Sequence, residues 1–323
     1  MPALQTHYTF VKTAAVNKDR KHFGAVVLGS QGPDPLFFVG QLPWIKRKNA
    51  KSANVFGSSL HHRDFSELYV AMIDYALKSE HKELLLDFIE GILMHYVLDR
   101  NCHPYVFSVT GFDLPNDEKI VGKYYMSYHT RIESAIDMIY AGENGLYKKD
   151  NRDSLATVSD AELMEISKMW YFANEATFKY ENIEPNTFYL GVKDYLSVMK
   201  FLNHARWFKR FFVKSFVGEY SSAYALIYPK DLKKRYGEID FMNEKKASWP
   251  DPVTGEERNE SFMELVEKAK KEYLELVLPL LEKAKNGVDV LEEMHAFYNG
   301  LDHDGSPNSE QKKYMKPFFP YTK

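Results

Sequence analysis

The stretch LLLDFIEGILMHYVLDRNCHPY, residues 84–105, reads as a buried helix that carries metal-grade side chains in register. Leu84, Phe88 and Ile92 share one face, and the same stripe continues at three- and four-residue spacing through His95 and Asp99. His103 follows one turn later, and Pro104 is expected to close the helix near that point. Burying a carboxylate and an imidazole in a core costs several kcal/mol unless they are paired or hold a metal, so this stripe requires a partner.

The next long helix supplies one. In KYYMSYHTRIESAIDMIYAG, residues 123–142, Tyr125, His129, Glu133, Ile136 and Tyr140 share a face, and a His and a Glu at i, i+4 can grip one ion from a single rigid element. Packed antiparallel, the two helices bring His95, Asp99, His103, His129 and Glu133 together. One such pair alone is more often a surface salt link or a satisfied core histidine. Two inward pairs with a third histidine in register favour a metal.

Working outward, apolar residues at helical spacing run through 65–77, 82–99, 119–141, 160–178, 192–217, 261–283 and 288–298, whereas strand-like alternation is hard to find. The expected fold is all-α, a multi-helix bundle with a multinuclear metal site in its core. Turn chemistry marks breaks at 29–35, 42–59, 111–118, 143–154 and 248–260. The last, polar and punctuated by Pro and Gly, separates an expected helical domain, 1–247, from a C-terminal helical appendage, 248–323, packed on the same domain.

Composition narrows the function classes. The chain has 323 residues, 45% hydrophobic and 27% charged, with a formal net charge of -3, which gives no field for coating nucleic acid or an anionic membrane. Its apolar runs fall short of the roughly 20 residues that span a bilayer. The N-terminus lacks the basic start, apolar stretch and small-residue cleavage site of a secretory signal, so a cytoplasmic location is expected. The single cysteine, Cys102, forms no internal disulfide and reads as a small buried hydrophobe rather than a ligand.

Three upstream positions join the candidates: His7 on the first helix, Asp34 in the tight turn GPDP, and the adjacent His61 and His62 ahead of Asp64, which reads as a helix cap. With these residues in this order, the chain resembles the zinc-dependent phospholipase C family, whose nuclease relatives cleave phosphodiesters and 3′-phosphates with a similar three-zinc site. The resemblance rests on His7, Asp34, His61, the H-x3-D of His95 and Asp99, His103, and the H-x3-E of His129 and Glu133, and covers roughly residues 1–140. It implies that Asp34, His61, His95 and Asp99 surround one zinc, that His103, His129 and Glu133 hold a second, and that His7 and a bridging Asp99 hold a third. His61 is preferred to His62 because its spacing to Asp64 is similar to the family's H-x-x-D stretch. The family also uses a mature N-terminal residue as a ligand, and after loss of the initiator Met the amine of Pro2 would stand in that place.

The implied chemistry is a zinc-dependent phosphoesterase of phospholipase C type, a metal-dependent hydrolase in which water between two zinc ions, oriented by Asp34, displaces an alcohol in line. Two to three zinc ions per chain are expected. The substrate is a small-molecule or lipid phosphodiester, with nucleic acid entering as substrate only. The runner-up is a nuclease or 3′-nucleotidase on the same metal core, and the reading from another class is a non-catalytic, metal-stabilised helical protein. An HD-type phosphohydrolase ranks lower, because the one His-Asp dipeptide, His303–Asp304, falls in a polar loop. Lys46, Arg47, Lys48 and Lys51 offer cations to a phosphate or form a solvated loop. RWFKRFFVKSF, residues 206–216, alternates cations with aromatics, and its spacing favours Phe211 and Phe212 as core.

Overall fold

A computed structural model describes residues 4–42, 44–110, 121–147, 157–203, 207–218, 221–307 and 312–314, without the side chains of 121–126, 203 and 207–209. Pro2 and the expected turn at 111–118 lie outside the described residues. The chain is built of helices α1 (Leu4–Ala14), α2 (Phe23–Gly29), α3 (Ala50–His61), α4 (Ser66–Lys78), α5 (Lys82–Thr110), α6 (Val121–Glu143), α7 (Asp160–Ala176), α8 (Thr187–Asn203) and α9 (Trp207–Val217). Two short helices follow, α10 (Ser222–Ala225) and α11 (Leu232–Tyr236), then α12 (Phe262–Glu272), α13 (Leu278–Lys285) and α14 (Leu291–Tyr298). The polar break at 248–260 forms a small antiparallel hairpin, β1 (Trp249–Pro250) against β2 (Glu257–Arg258). All-α is therefore the architecture.

Everything is organised on α5. From Leu84 to Thr110 it is buried on every side except at Arg100, which a helix apolar all round requires. α2 crosses it at glycine contact: a methyl on Gly91 would lie 2.2 Å from the Val26 carbonyl, and one on Gly29 2.2 Å from the Phe88 carbonyl. α1, α4, α6, α7 and α12 also pack against α5, so the segment after Ser248 lies on the same central helix. The buried Glu90 carboxylate takes both guanidinium nitrogens of Arg20 at 2.8 Å and the Tyr273 hydroxyl at 2.7 Å, tying α5 to both ends of the chain.

Two helix starts carry full side-chain caps. Ser159 with Glu162 and Ser261 with Glu264 form reciprocal capping boxes that open α7 and α12. Three sequence expectations are corrected. α5 runs through Pro104 to Thr110 instead of ending there. The Arg100 carbonyl, deprived of its amide partner by the proline, is covered by Gly305, where any side chain would strike it. The loop expected over 42–59 is helical from Ala50, because Ala53, Phe56, Gly57 and Leu60 make a buried stripe too small in volume to stand out in sequence. The segment 261–283 is interrupted by one wide turn, Tyr273–Val277, that absorbs the amide missing at Pro279.

Candidate metal centre

Local geometry places each candidate side chain. His95, Asp99 and His103 rise on consecutive turns of α5, and His129 and Glu133 rise on α6. His7 comes from α1, which is held to α6 because the Thr6 amide and hydroxyl both donate to Asp137 Oδ1 at 2.7 Å. Asp34 opens a 3-10 turn, Asp34–Phe38, directly after Gly32, whose positive φ of 52° lets the chain pass over the His95 ring. His61 ends α3.

These side chains converge in the buried interior. His7 Nε2 lies 3.1 Å from Asp99 Oδ1, and His95 Nε2 lies 3.0 Å from Asp99 Oδ2. Asp34 Oδ1 lies 3.1 Å from His61 Nε2. Glu133 Oε1 is 3.0 Å from His129 Nε2 and 3.5 Å from His103 Nε2. Three groups result, each with donor atoms within 4.8 Å of one another: His7, His95 and Asp99; Asp34, His61 and His95; His103, His129 and Glu133. All the sequence-chosen positions are thus brought together. His62 points elsewhere: its side chain is 57% exposed and faces Asp304 at 3.5 Å.

Three observations fit a metal to these donors. The first is tautomeric. The Nδ1 atoms of His61, His95 and His103 lie 2.8, 3.0 and 3.0 Å from the carbonyls of Gly57, Ser30 and His303, so Nδ1–H donates and Nε2 carries the lone pair. A lone pair cannot rest 3.0 Å from a carboxylate oxygen without a proton or a cation between them. The second is protonation. Burial, followed by repulsion from His95, pushes the His7 imidazole down, and burial does the same to His129. Burial opposes charge on His95 and His103 too, but the surrounding acceptors together outweigh it, Asp99 and Asp34 at His95 and Asp99, Glu133 and Asp304 at His103, so both are pushed up, His103 to about 10. Protons alone therefore satisfy some of these imidazoles and not their neighbours. The third is distance: two donors on a tetrahedral zinc sit about 3.3 Å apart, given bonds near 2.0–2.1 Å, and the separations above bracket that value.

One histidine outside the sequence-chosen set also lies against these residues. His303 lies in the loop after α14, as expected, yet it is 0% exposed and packs on the centre, with its ring centroid 4.9 Å from that of His61 and 5.5 Å from that of His95. Its amide donates to the His61 carbonyl at 3.3 Å. A polar pentapeptide around a His-Asp pair gives no periodicity from which burial could be read.

A cavity of about 1010 Å³ opens onto the centre, with His61, His103 and His129 among its lining. Phe37, Leu42, Trp44, Val198, Leu202, Phe212 and Phe216 make its walls predominantly apolar, and Asp304 and Lys312 also line it. This corrects the core reading of 206–216: Phe211 and Phe212 are more than half exposed and Phe216 is 83% exposed, while Val213 is the buried member. The reason is that α9 packs on the small α10 and leaves its aromatic face to the cavity. Arg47 of the basic loop is not available to a substrate phosphate, since its guanidinium grips Asp194 at 2.7 and 3.1 Å.

Among the described residues no helix is long and apolar enough to cross a membrane. A family model described as zinc dependent phospholipase C matches residues 6–225. No curated protein and no solved structure matches the chain.

Proposed function

We propose, for a chain that belongs to the zinc-dependent phospholipase C family and is thereby a zinc phosphoesterase, that the substrate is a lipid phosphodiester whose acyl portion fills the apolar cavity. The observation that carries this reading is the junction of that cavity with the metal centre: apolar walls end on His61, His103 and His129. A nucleotide would bring a polar base and sugar to a wall with few polar groups to receive them.

Asp34, His61, His95 and Asp99, His103, His129 and Glu133, and His7 with Asp99 would hold the ions. Zinc there would supply Lewis acidity, lowering the pKa of a bound water towards ~7 and neutralising charge on the transferring phosphoryl group. The chain's own contribution is positional. Burial, which favours the neutral acid, is outweighed at Asp34 by its hydrogen bond to His61 and by His95, so this carboxylate stays ionised and able to orient the attacking water. The backbone carbonyls behind His61, His95 and His103 fix the ring planes. The apolar walls exclude competing water from the phosphoryl group and orient the ester with its chain away from the centre.

The test compares zinc-loaded protein on a long-chain phosphatidylcholine, a lysolipid, a chain-free choline phosphodiester, single-stranded DNA and a 3′-nucleotide. Turnover should rise with acyl content, and Phe212→Asp should lower it on the long-chain lipid while sparing the chain-free ester. Preference for DNA or the 3′-nucleotide would move the assignment to the nuclease branch. His95→Ala should abolish turnover on every substrate, and its retention would leave only a structural role for the metals.

A further inference from the structure

We infer that the rim of the apolar cavity is a membrane-docking surface: Trp44 and the α9 aromatics enter the headgroup layer of a phospholipid bilayer, and the lysines beside them meet its anionic phosphates. The inference rests on the lipid reading above and adds how the substrate is reached.

Large apolar side chains gather at the opening of the cavity. Trp44, Phe212, Phe216 and Val217 all line it, yet each is more than half exposed, which places them at its mouth. Phe212 and Phe216 stack one helical turn apart with centroids at 6.3 Å, and Trp44 meets Phe201 edge-on at 5.4 Å. Phe211 meets Phe212 at 6.2 Å, is 64% exposed and stands outside the cavity lining. A bound acyl chain accounts for Phe212 and Phe216 but not for Phe211. α9 anchors through the buried Val213 and turns all three phenylalanines outward, and an exposed aromatic set continuous with an apolar cavity marks an interaction surface.

Charge selects the occupant. The two stretches that carry these aromatics, residues 44–51 and 210–217, contain Lys46, Arg47, Lys48, Lys51, Arg210 and Lys214 and no carboxylate, in a chain whose net charge is -3. Arg47 and Arg210 are used within the protein, on Asp194 and on the Tyr228 carbonyl. Lys46, Lys48, Lys51 and Lys214 are exposed. Aromatic rings interleaved with lysines suit the boundary of a bilayer, where the rings lie between headgroups and acyl chains and the ammonium groups reach the phosphates. A second copy of the chain docked about a two-fold axis would set the same cations against one another, whereas a bilayer brings the opposite charge. Seating the opening on the bilayer also lets an acyl chain pass into the cavity without crossing water, which opposes apolar surface.

The test is cosedimentation of the zinc-loaded full chain with vesicles of phosphatidylcholine, alone or with about a third phosphatidylglycerol, at low and high salt. Wild type is compared with Phe211→Asp and with the double variant Lys46→Gln, Lys48→Gln. Wild type should bind the mixed vesicles, more weakly at high salt, and Phe211→Asp should bind them about 10-fold less. The double variant should lose about 10-fold on mixed vesicles and little on phosphatidylcholine alone. Both variants should turn over the chain-free choline ester as wild type does, since neither Phe211 nor the two lysines line the cavity. Wild type that binds neither vesicle, or Phe211→Asp that binds as wild type does, overturns the inference. So does a dimer seen by light scattering in place of vesicle binding and dissolved by Phe211→Asp, which assigns the face to a second copy. Binding is read without turnover, so the two readings fail separately: turnover of the lysolipid without vesicle binding overturns docking alone, and preference for a nucleotide overturns the substrate reading alone.

Discussion

Gly32→Ala tests whether the backbone turn before Asp34 positions the His95 ring. Gly32 sits at φ 52°, and a Cβ there would lie 2.5 Å from Cδ2, 2.7 Å from Cγ and 2.7 Å from Nε2 of His95. The ring has no retreat, because it is fully buried and its Nδ1 is held 3.0 Å from the Ser30 carbonyl. The left-handed backbone costs an alanine about 1–2 kcal/mol. Forcing a methyl into filled space adds about 1–3 kcal/mol. Reduced freedom of the unfolded chain returns about 0.4–1 kcal/mol, leaving a net loss of about 1–5 kcal/mol. Gly145→Ala provides the control, since it has φ 66° and open space around the added methyl, and so reports the backbone term alone. Chemical denaturation with and without zinc is the assay. Each zinc at a hundred times its dissociation constant should stabilise wild type by about 2.7 kcal/mol, and Gly32→Ala should forfeit most of the increment from the ions that His95 would hold, because the displaced ring carries Nε2 away from Asp99. If Gly32→Ala costs no more than Gly145→Ala and keeps the zinc increment, the packing argument is wrong.

The remaining predictions concern protons, the core and α1. Burial lowers the His103 imidazole, but Asp99, Glu133 and Asp304 together raise it to about 10 from an ordinary 6.5. In metal-free protein this contributes stability that is fully present below pH 6.5 and is lost as pH rises towards 10. Zinc must displace that proton, so its affinity should rise with pH over the same window, and calorimetry at pH 7 in buffers of different ionisation enthalpy should show proton release; none would contradict the assignment. Glu90→Gln leaves Arg20 with Asp87 at 3.3 Å as its carboxylate partner, weakens the Tyr273 hydrogen bond, and should cost about 1–3 kcal/mol in denaturant unfolding with wild-type metal content. Asp137→Ala removes the acceptor of both Thr6 hydrogen bonds, and should cost about 1–3 kcal/mol while weakening the ion at His7; an unchanged metal titration would show that α1 is held by packing alone.

Much of this centre was legible because helical spacing is a local code. His95, Asp99 and His103 are one turn apart each, as are His129 and Glu133, so once two helices are recognised their carboxylates and imidazoles must point the same way. His7, Asp34 and His61 carried no such geometry and were found through family order. Arg47 and the aromatic run at 206–216 departed from expectation for a common reason: spacing shows which residues share a face, not whether that face meets protein or an open cavity, while Lys46, Lys48 and Lys51 are exposed as a solvated loop requires. Arg47 turned inward to Asp194, and Phe212 and Phe216 turned outward to the cavity.

By itself, then, the sequence determined an all-helical chain whose central helix carries a buried stripe of imidazoles and a carboxylate, because polar groups at three- and four-residue spacing on a helix share its apolar face. Only the tertiary structure decided that α5 continues past Pro104 and that His303 returns to His61 and His95. Such a return depends on closing a loop of some two hundred residues, and it is held by contacts from Tyr96, Arg100 and Gly305 that no short-range pattern records.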